Sequence, residues 1–352
     1  MSKRRRQGEE DGQASYHHRS GDKHKSLYLV LDDWHGGFTI RKLDADSPDL
    51  SAPPVFRLAS PLNRHAMDFA ALGSNIIATS NQCAATVVFD TETDALAIGN
   101  PLPDALLNAD NFFVTAGDML FAFSYYLMLR PPSFEVMTTA TKDEMRSLCP
   151  STDWSWKSIP TPFTKRQRIE SYALHPDGRT IFVSVYRSEV SGTFSIDTEK
   201  RKWRRHGEWM LPFQLQGYFD AELDAWVGLH PDGYICSCQV PSLDSSNNTG
   251  QQPSWKIAEE HRMWSPRYQV RNAQGATLTY MANSRFFLVD CVIADGFEFQ
   301  DAFGDPNGFV LHMTTFRLKY NHHGKLRIVD KNTTSSPVSR QLSCFSPVAF
   351  WM

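Results

Sequence analysis

Ile181-Phe182-Val183-Ser184-Val185, then a gap, then Thr193-Phe194-Ser195-Ile196-Asp197: two short runs rich in β-branched and aromatic residues, the second alternating apolar with polar. That pattern reads as an antiparallel hairpin with one face turned to a core. It recurs along the chain. Leu27 to Leu31 is followed across Trp34-His35-Gly36-Gly37 by Phe38 to Leu43, and Ile76 to Thr79 by Thr86 to Asp90. Leu120 to Phe123 leads across Arg130-Pro131-Pro132 to Phe134-Glu135-Val136, and Trp226 to Leu229 leads across His230-Pro231-Asp232-Gly233 to Tyr234 through Cys238. A sixth copy opens at Phe286-Phe287-Leu288-Val289. The six starts are spaced by 49, 44, 61, 45 and 60 residues, a mean of about 52, which is the size of one propeller blade.

Smaller features keep the same phase. Asp90-Thr91-Glu92 and Asp197-Thr198-Glu199 each end a strand and are each followed by Leu-Pro, at Leu102-Pro103 and Leu211-Pro212. Trp156, Trp203 and Trp255 fall in segments expected to be outer strands, where large aromatics would wedge between neighbouring sheets. The tetrapeptide His-Pro-Asp-Gly at His175 to Gly178 and His230 to Gly233 is out of phase, once before a hairpin and once inside one, and reads as shared turn chemistry. The expected fold is all-β: a single β-propeller of six four-stranded blades. A seventh blade arises if Gly308 to Val329 forms its own unit. The favoured reading makes that segment complete the last blade, with a terminal strand pairing to the other end of the chain to close the ring.

Composition bounds the function. Of 352 residues, 41% are hydrophobic, 21% charged and 12% aromatic, which excludes wholesale disorder, collagen-like repeats and a multi-span membrane protein. Residues 1 to 25 carry seven basic and four acidic side chains without apolar periodicity and read as a disordered basic tail; the propeller is assigned to residues 26 to 352. Those remaining residues hold 29 basic against 35 acidic side chains, which speaks against a broad nucleic-acid surface. Lys3-Arg4-Arg5-Arg6 runs into Gln, Gly, Glu and Asp instead of an apolar stretch, so secretion is not expected; these four residues are a candidate nuclear-localisation signal on an intracellular, cytoplasmic or nuclear protein. No membrane partner is expected, and the protein is read as a monomer. The six cysteines, Cys83, Cys149, Cys236, Cys238, Cys291 and Cys344, read as core residues of a reducing compartment.

Ser26 to Trp34 followed by Phe38 to Leu43, together with Met67-Asp68-Phe69-Ala70-Ala71-Leu72-Gly73 and Leu223-Asp224-Ala225-Trp226-Val227-Gly228-Leu229, resembles a plant family, expanded in grasses, of uncharacterised kelch-like proteins known as a domain of unknown function. The resemblance spans about residues 26 to 330 and implies a propeller like those of kelch proteins and galactose oxidase, with no catalytic residues to carry over. The Gly-Gly doublet that kelch repeats use in each blade occurs here once, at Gly36-Gly37.

The chemistry-bearing motifs are few. The likeness to galactose oxidase raises a copper centre, but the histidines fall mostly singly, and Cys236-Ser237-Cys238 supplies two thiols where a zinc site needs four ligands. No Gly-x-Ser-x-Gly elbow and no phosphate-binding glycine loop is present. Leu102-Pro103-Asp104-Ala105-Leu106-Leu107 looks like the opening of an F-box, yet it lies inside the repeat ladder. The polar turn Asn63-Arg64-His65 is a candidate ligand-contact loop. No cofactor or metal is expected. The leading expectation is a non-enzymatic propeller that binds a protein or peptide; the alternative is a galactose-oxidase-like or glycan-processing enzyme with its site at the central channel.

Overall fold

The structure, a computed structural model, describes residues 25–62, 65–83, 86–126, 132–139, 154–164, 167–186, 191–243, 250–259, 261–266 and 275–352. Blade 1 joins the two chain ends: β1 (Leu27–Trp34), β2 (Gly37–Leu43) and β3 (Phe56–Ala59) lie beside the C-terminal strand β24 (Val348–Trp351). Blade 2 is β4 (Asp68–Leu72), β5 (Asn75–Thr79), β6 (Thr86–Asp90) and β7 (Leu96–Gly99). Blade 3 is β8 (Asp110–Ala116), β9 (Met119–Tyr126), β10 (Phe134–Thr139) and β11 (Trp154–Ile159). Blade 4 is β12 (Arg168–Leu174), β13 (Thr180–Tyr186), β14 (Gly192–Asp197) and β15 (Lys202–Gly207). Blade 5 is β16 (Gln214–Asp220), β17 (Ala225–Leu229), β18 (Ile235–Gln239) and β19 (Trp255–Ile257). Blade 6 is β20 (Ala276–Tyr280), β21 (Arg285–Ile293), β22 (Phe309–Tyr320) and β23 (Leu326–Val338), with a one-turn helix α1 (Phe299–Ala302) between β21 and β22.

Each blade is an antiparallel sheet, and blades 4 and 5 are further tied by parallel pairing of β12 with β16. That parallel pair shows that successive inner strands run the same way. Six apolar clusters fill the six seams in cyclic order, including one between blades 6 and 1 and one between blades 1 and 2. The ring is therefore closed, as a six-bladed β-propeller. The Gly308 to Val329 segment supplies β22 and most of β23, so it completes blade 6, as favoured.

The hairpins read from sequence are the second and third strands of each blade. They are the legible ones because both faces are buried. Along β13, Ile181, Val183 and Val185 face blade 3 while Phe182 faces blade 5, so period two assigns alternate residues to opposite seams. The repeated Asp-Thr-Glu sites superpose in chemistry as well. Asp90 accepts the Glu92 N–H and Asp197 the Glu199 N–H, while Thr91 Oγ1 donates to the Ser74 carbonyl and Thr198 Oγ1 to the Arg179 carbonyl. The two His-Pro-Asp-Gly turns also match: His175 and His230 each accept, on Nδ1, the N–H two residues on.

The outer tryptophans divide. Trp203 packs edge-on to Phe134 and Phe163 and donates to the Pro160 carbonyl at 2.7 Å, and Trp156 packs into the seam of blades 2 and 3. Trp255 does not wedge: it is 42% exposed and stacks on the His230 ring, because the short β19 stops before a neighbouring blade covers it. The F-box-like Leu102 to Leu107 is a turn whose Leu102 and Leu106 plug the foot of blade 3 beside Ala122. Of the cysteines, Cys236, Cys238 and Cys291 are buried, Cys83 is half-buried and Cys344 is exposed, a correction to the core reading; Cys149 lies outside the described residues.

Candidate functional site

Four consecutive inner strands open on a polar side chain: Asp68 in β4, Asp110 in β8, Arg168 in β12 and Gln214 in β16. Because the inner strands run in parallel, these openings meet at one end of the ring. There Asp68, Arg168 and Gln214 border a central cavity of about 710 Å³, with Asp110 beside it, and the cavity is lined by all six inner strands and by Cys344 to Ser346 of the segment leading into β24. Several of the side chains that line it, Met67, Phe69, Phe112, Ile169 and Tyr172 among them, also pack into the seams, whereas Asp68, Arg168, Glu170 and Gln214 belong to no apolar cluster.

The electrostatics are those of carboxylates short of partners. Burial pushes the Asp68 carboxyl up to about 7; the Asn111 amide, donating at 3.4 Å, pulls against this, and the nearby Asp110 charge adds to the rise. Asp110 and Glu170 are likewise raised by burial, each opposed by the charge of Arg168. Arg168 Nε lies 3.3 Å from Glu170 Oε1, but both side chains are more than a third exposed, so this pair adds little stability. Asp110 and Glu170 thus share the charge of Arg168, while Asp68 takes a side-chain hydrogen bond from Asn111. Deeper in, Tyr172, Tyr218 and Tyr280 line the walls; burial raises the phenol of Tyr218 and pushes that of Tyr280 up to about 12. Aromatic faces beside carboxylates suit a bound ammonium or guanidinium group.

Among the described residues no group of three His, Cys, Asp or Glu side chains is placed to hold a metal ion, and the residues lining the channel include no histidine. The paired thiols of Cys236 and Cys238 are both raised by burial, Cys238 to about 12, which keeps them protonated and inert. A buried His206–Ser195 pair at 2.8 Å is sealed from solvent, with the imidazole lowered to about 4 chiefly by burial.

A second cavity, of about 510 Å³, opens at the same end over the seam of blades 6 and 1. The β1–β2 turn Trp34 to Gly37, Ser60 and His65, α1 with Phe303 and Gly304, and Gln341 to Ser343 line it. Its floor is fixed by a buried ion pair. Asp32 receives Arg340 Nε and the backbone N–H groups of Gln341 (3.0 Å) and Leu342 (2.7 Å), while Arg340 also donates to the Phe345 carbonyl. Burial raises the Asp32 carboxyl, opposed by Arg340.

Of the residues singled out in sequence, His65 is exposed and lines this second cavity, in a turn held by Ser60 Oγ on the Leu62 carbonyl at 2.7 Å. Asn63, Arg64 and the run Lys3, Arg4, Arg5 and Arg6 lie outside the described residues. Sequence reasoning missed Asp68, Asp110, Arg168 and Glu170. A signal existed: a charged residue recurs just ahead of an apolar strand, one strand before each of the hairpins of blades 2, 3 and 4.

Residues 24–335 match the model of a family described as "Protein of unknown function (DUF1668)". The chain belongs to this family. Similar solved structures include a putative 6-phosphogluconolactonase from Bacteroides uniformis, 14% identical over 93% of this chain and 99% of that one at a TM-score of 0.49. TolB from Acinetobacter baumannii is 11% identical over 93% and 66%, at 0.46, and a chain of a nidogen/laminin complex is 10% identical over 93% and 98%, also at 0.46. No curated protein matches this DUF1668 chain. Its fold rests on the six blades and their seams. No helix among its described residues is long and apolar enough to cross a membrane.

Proposed function

We propose that this DUF1668 propeller is a non-enzymatic binding module that takes a protein or peptide at the channel mouth, and that the partner presents a basic side chain there. The observation that carries the reading is the surplus of carboxylates at the channel mouth: Asp68, Asp110 and Glu170 are each raised by burial, and among the described residues lining the channel Arg168 is the one cationic side chain. A lysine or arginine entering the cavity would relieve that surplus, and the tyrosine walls would contact its alkyl chain and charged head. A kelch-like role as a rigid display of loops agrees with this. In the same reading residues 1 to 25 are a tail that carries the nuclear address Lys3 to Arg6, and residues 26 to 352 are one domain acting inside the cell. The galactose-oxidase-like alternative has no comparable support, since tyrosines and Cys344 line the channel without a histidine beside them.

The test is calorimetric titration of the full chain with a lysine-rich peptide, a glutamate-rich peptide serving as control. Saturable binding of the first alone, weakened at least tenfold by Asp68→Asn combined with Glu170→Gln, is expected. Equal affinity for both peptides, or no effect of the double variant, sinks the proposal.

A further inference from the structure

We infer that the second cavity is a separate binding site for an uncharged, proline-rich peptide segment in the polyproline II conformation; the inference rests on the binding-module reading but uses none of the channel residues. The cavity lies within the range typical of ligand sites, roughly 300 to 1,000 Å³, at about 510 Å³. Among the described residues no Asp, Glu, Lys or Arg lines it. A charged ligand group would therefore be desolvated without a counter-charge. That excludes the phosphate- and acid-reading modes, which need clustered arginines.

Geometry removes two further modes. Strand addition needs an open sheet edge, and this cavity is walled by turns, a single helical turn and the closing segment. An amphipathic helix, with a diameter of about 10 to 12 Å, needs a long apolar groove to lie in. What remains is recognition of an extended, pre-ordered segment by an aromatic-lined slot.

The aromatic lining is present. Trp34, Phe299 and Phe303 are each half-buried, and Phe299 and Phe303 meet edge-to-face at 5.2 Å. The indole of Trp34 lies across Gly36 so closely that a Cβ there would come within 2.8 Å of Trp34 Cζ2. Glycine at that position lets the ring lie flat at the cavity wall, where a pyrrolidine ring could stack. Donors stand beside it. The side chains of Trp34, His35, His65, Gln300 and Ser343 have no hydrogen-bond partner among the described residues and would meet the carbonyls that a polyproline II backbone leaves unpaired. The wall opposite is held by Asp32, which fixes Gln341 and Leu342 through their backbone N–H groups.

The experiment is fluorescence anisotropy of a labelled, uncharged decaproline peptide titrated with the full chain, beside the lysine-rich peptide used for the channel. Saturable decaproline binding is expected. Trp34→Ala should weaken it at least tenfold and Gly36→Ala severalfold by displacing the indole, while Asp68→Asn leaves it unchanged. Phe299→Ala serves as second variant should Trp34→Ala unfold early in a thermal melt. Absence of saturable decaproline binding overturns the inference, as does retention of full affinity in both folded aromatic variants. Because the lysine-rich peptide should respond to Asp68 and not to Trp34, a failure at the channel and a failure at this cavity are told apart.

Discussion

The two cavities open at the same end of one propeller and are built in opposite ways. The channel is made by the repeat itself: the opening residues of parallel inner strands bring Asp68, Asp110 and Arg168 together, and every blade contributes to its wall. The cavity over the blade 6–1 seam is made by what does not repeat, the Gly-Gly turn of β1–β2, the inserted α1 and the closing segment, pinned by one ion pair whose partners are 308 residues apart. Repetition yields a charged cavity spread over many elements, whereas the irregular seam yields a cavity that hangs on a single latch and that no charged side chain among the described residues lines.

That contrast is open to direct attack. The largest effect should come from Arg340→Met, which leaves the Asp32 carboxylate buried without its cation; unfolding in urea should show a loss of about 3 to 5 kcal/mol. A change within about 0.5 kcal/mol, the range of ordinary surface substitutions, would show that the seam does not depend on the latch. Next comes Gly37→Ala. Its Cβ would stand 2.1 Å from the Leu58 carbonyl oxygen, so β2 and β3 must part. The expected cost is about 2 kcal/mol, read by thermal unfolding, with decaproline binding lost before lysine-peptide binding.

A smaller effect separates the sites by pH. Asp68 binds its proton more tightly in the folded state than in the unfolded chain, so stability is fully present below pH 4 and falls as pH rises towards 7. Asp68→Asn should therefore stabilise the protein at pH 8 by on the order of 1 kcal/mol, after allowance for channel water, and leave it unchanged near pH 4. Affinity for the lysine-rich peptide runs the other way, rising from pH 6 to pH 8 as Asp68 ionises, while decaproline affinity stays flat. A lysine-peptide affinity independent of pH would remove Asp68 from the site. The smallest expected effect is at Cys344, exposed at the channel rim. Alkylation of this thiol, followed by mass spectrometry at pH 8, should slow a fewfold with the lysine-rich peptide bound and not at all with decaproline.

The hairpins Ile181 to Asp197 and Trp226 to Cys238 were legible because their central strands are buried on both faces, so short runs rich in β-branched and aromatic residues stand out between the turns. The Asp-Thr-Glu sites were legible because their side chains bond only a few residues or one hairpin away. His65 was singled out through its polar turn, but the cavity it lines was not, since Trp34, Phe299 and Gln341 come from three distant loops. Trp255 and Cys344 misled for a common reason: residue type favours burial, yet β19 is short and the closing segment faces the channel.

By itself the sequence determined the period of about 52 residues, the order of strands within the hairpins and the turn chemistry between them, all of which depend on neighbours along the chain. Ring closure by a terminal strand was also expected from the sequence; only the tertiary structure decided that Val348–Trp351 is that strand, that Asp32 meets Arg340, and that four inner strands open on one shared mouth. Those pairings join residues far apart in the chain. Hydrophobic periodicity reports which face of a strand is buried and carries no record of which distant element covers it.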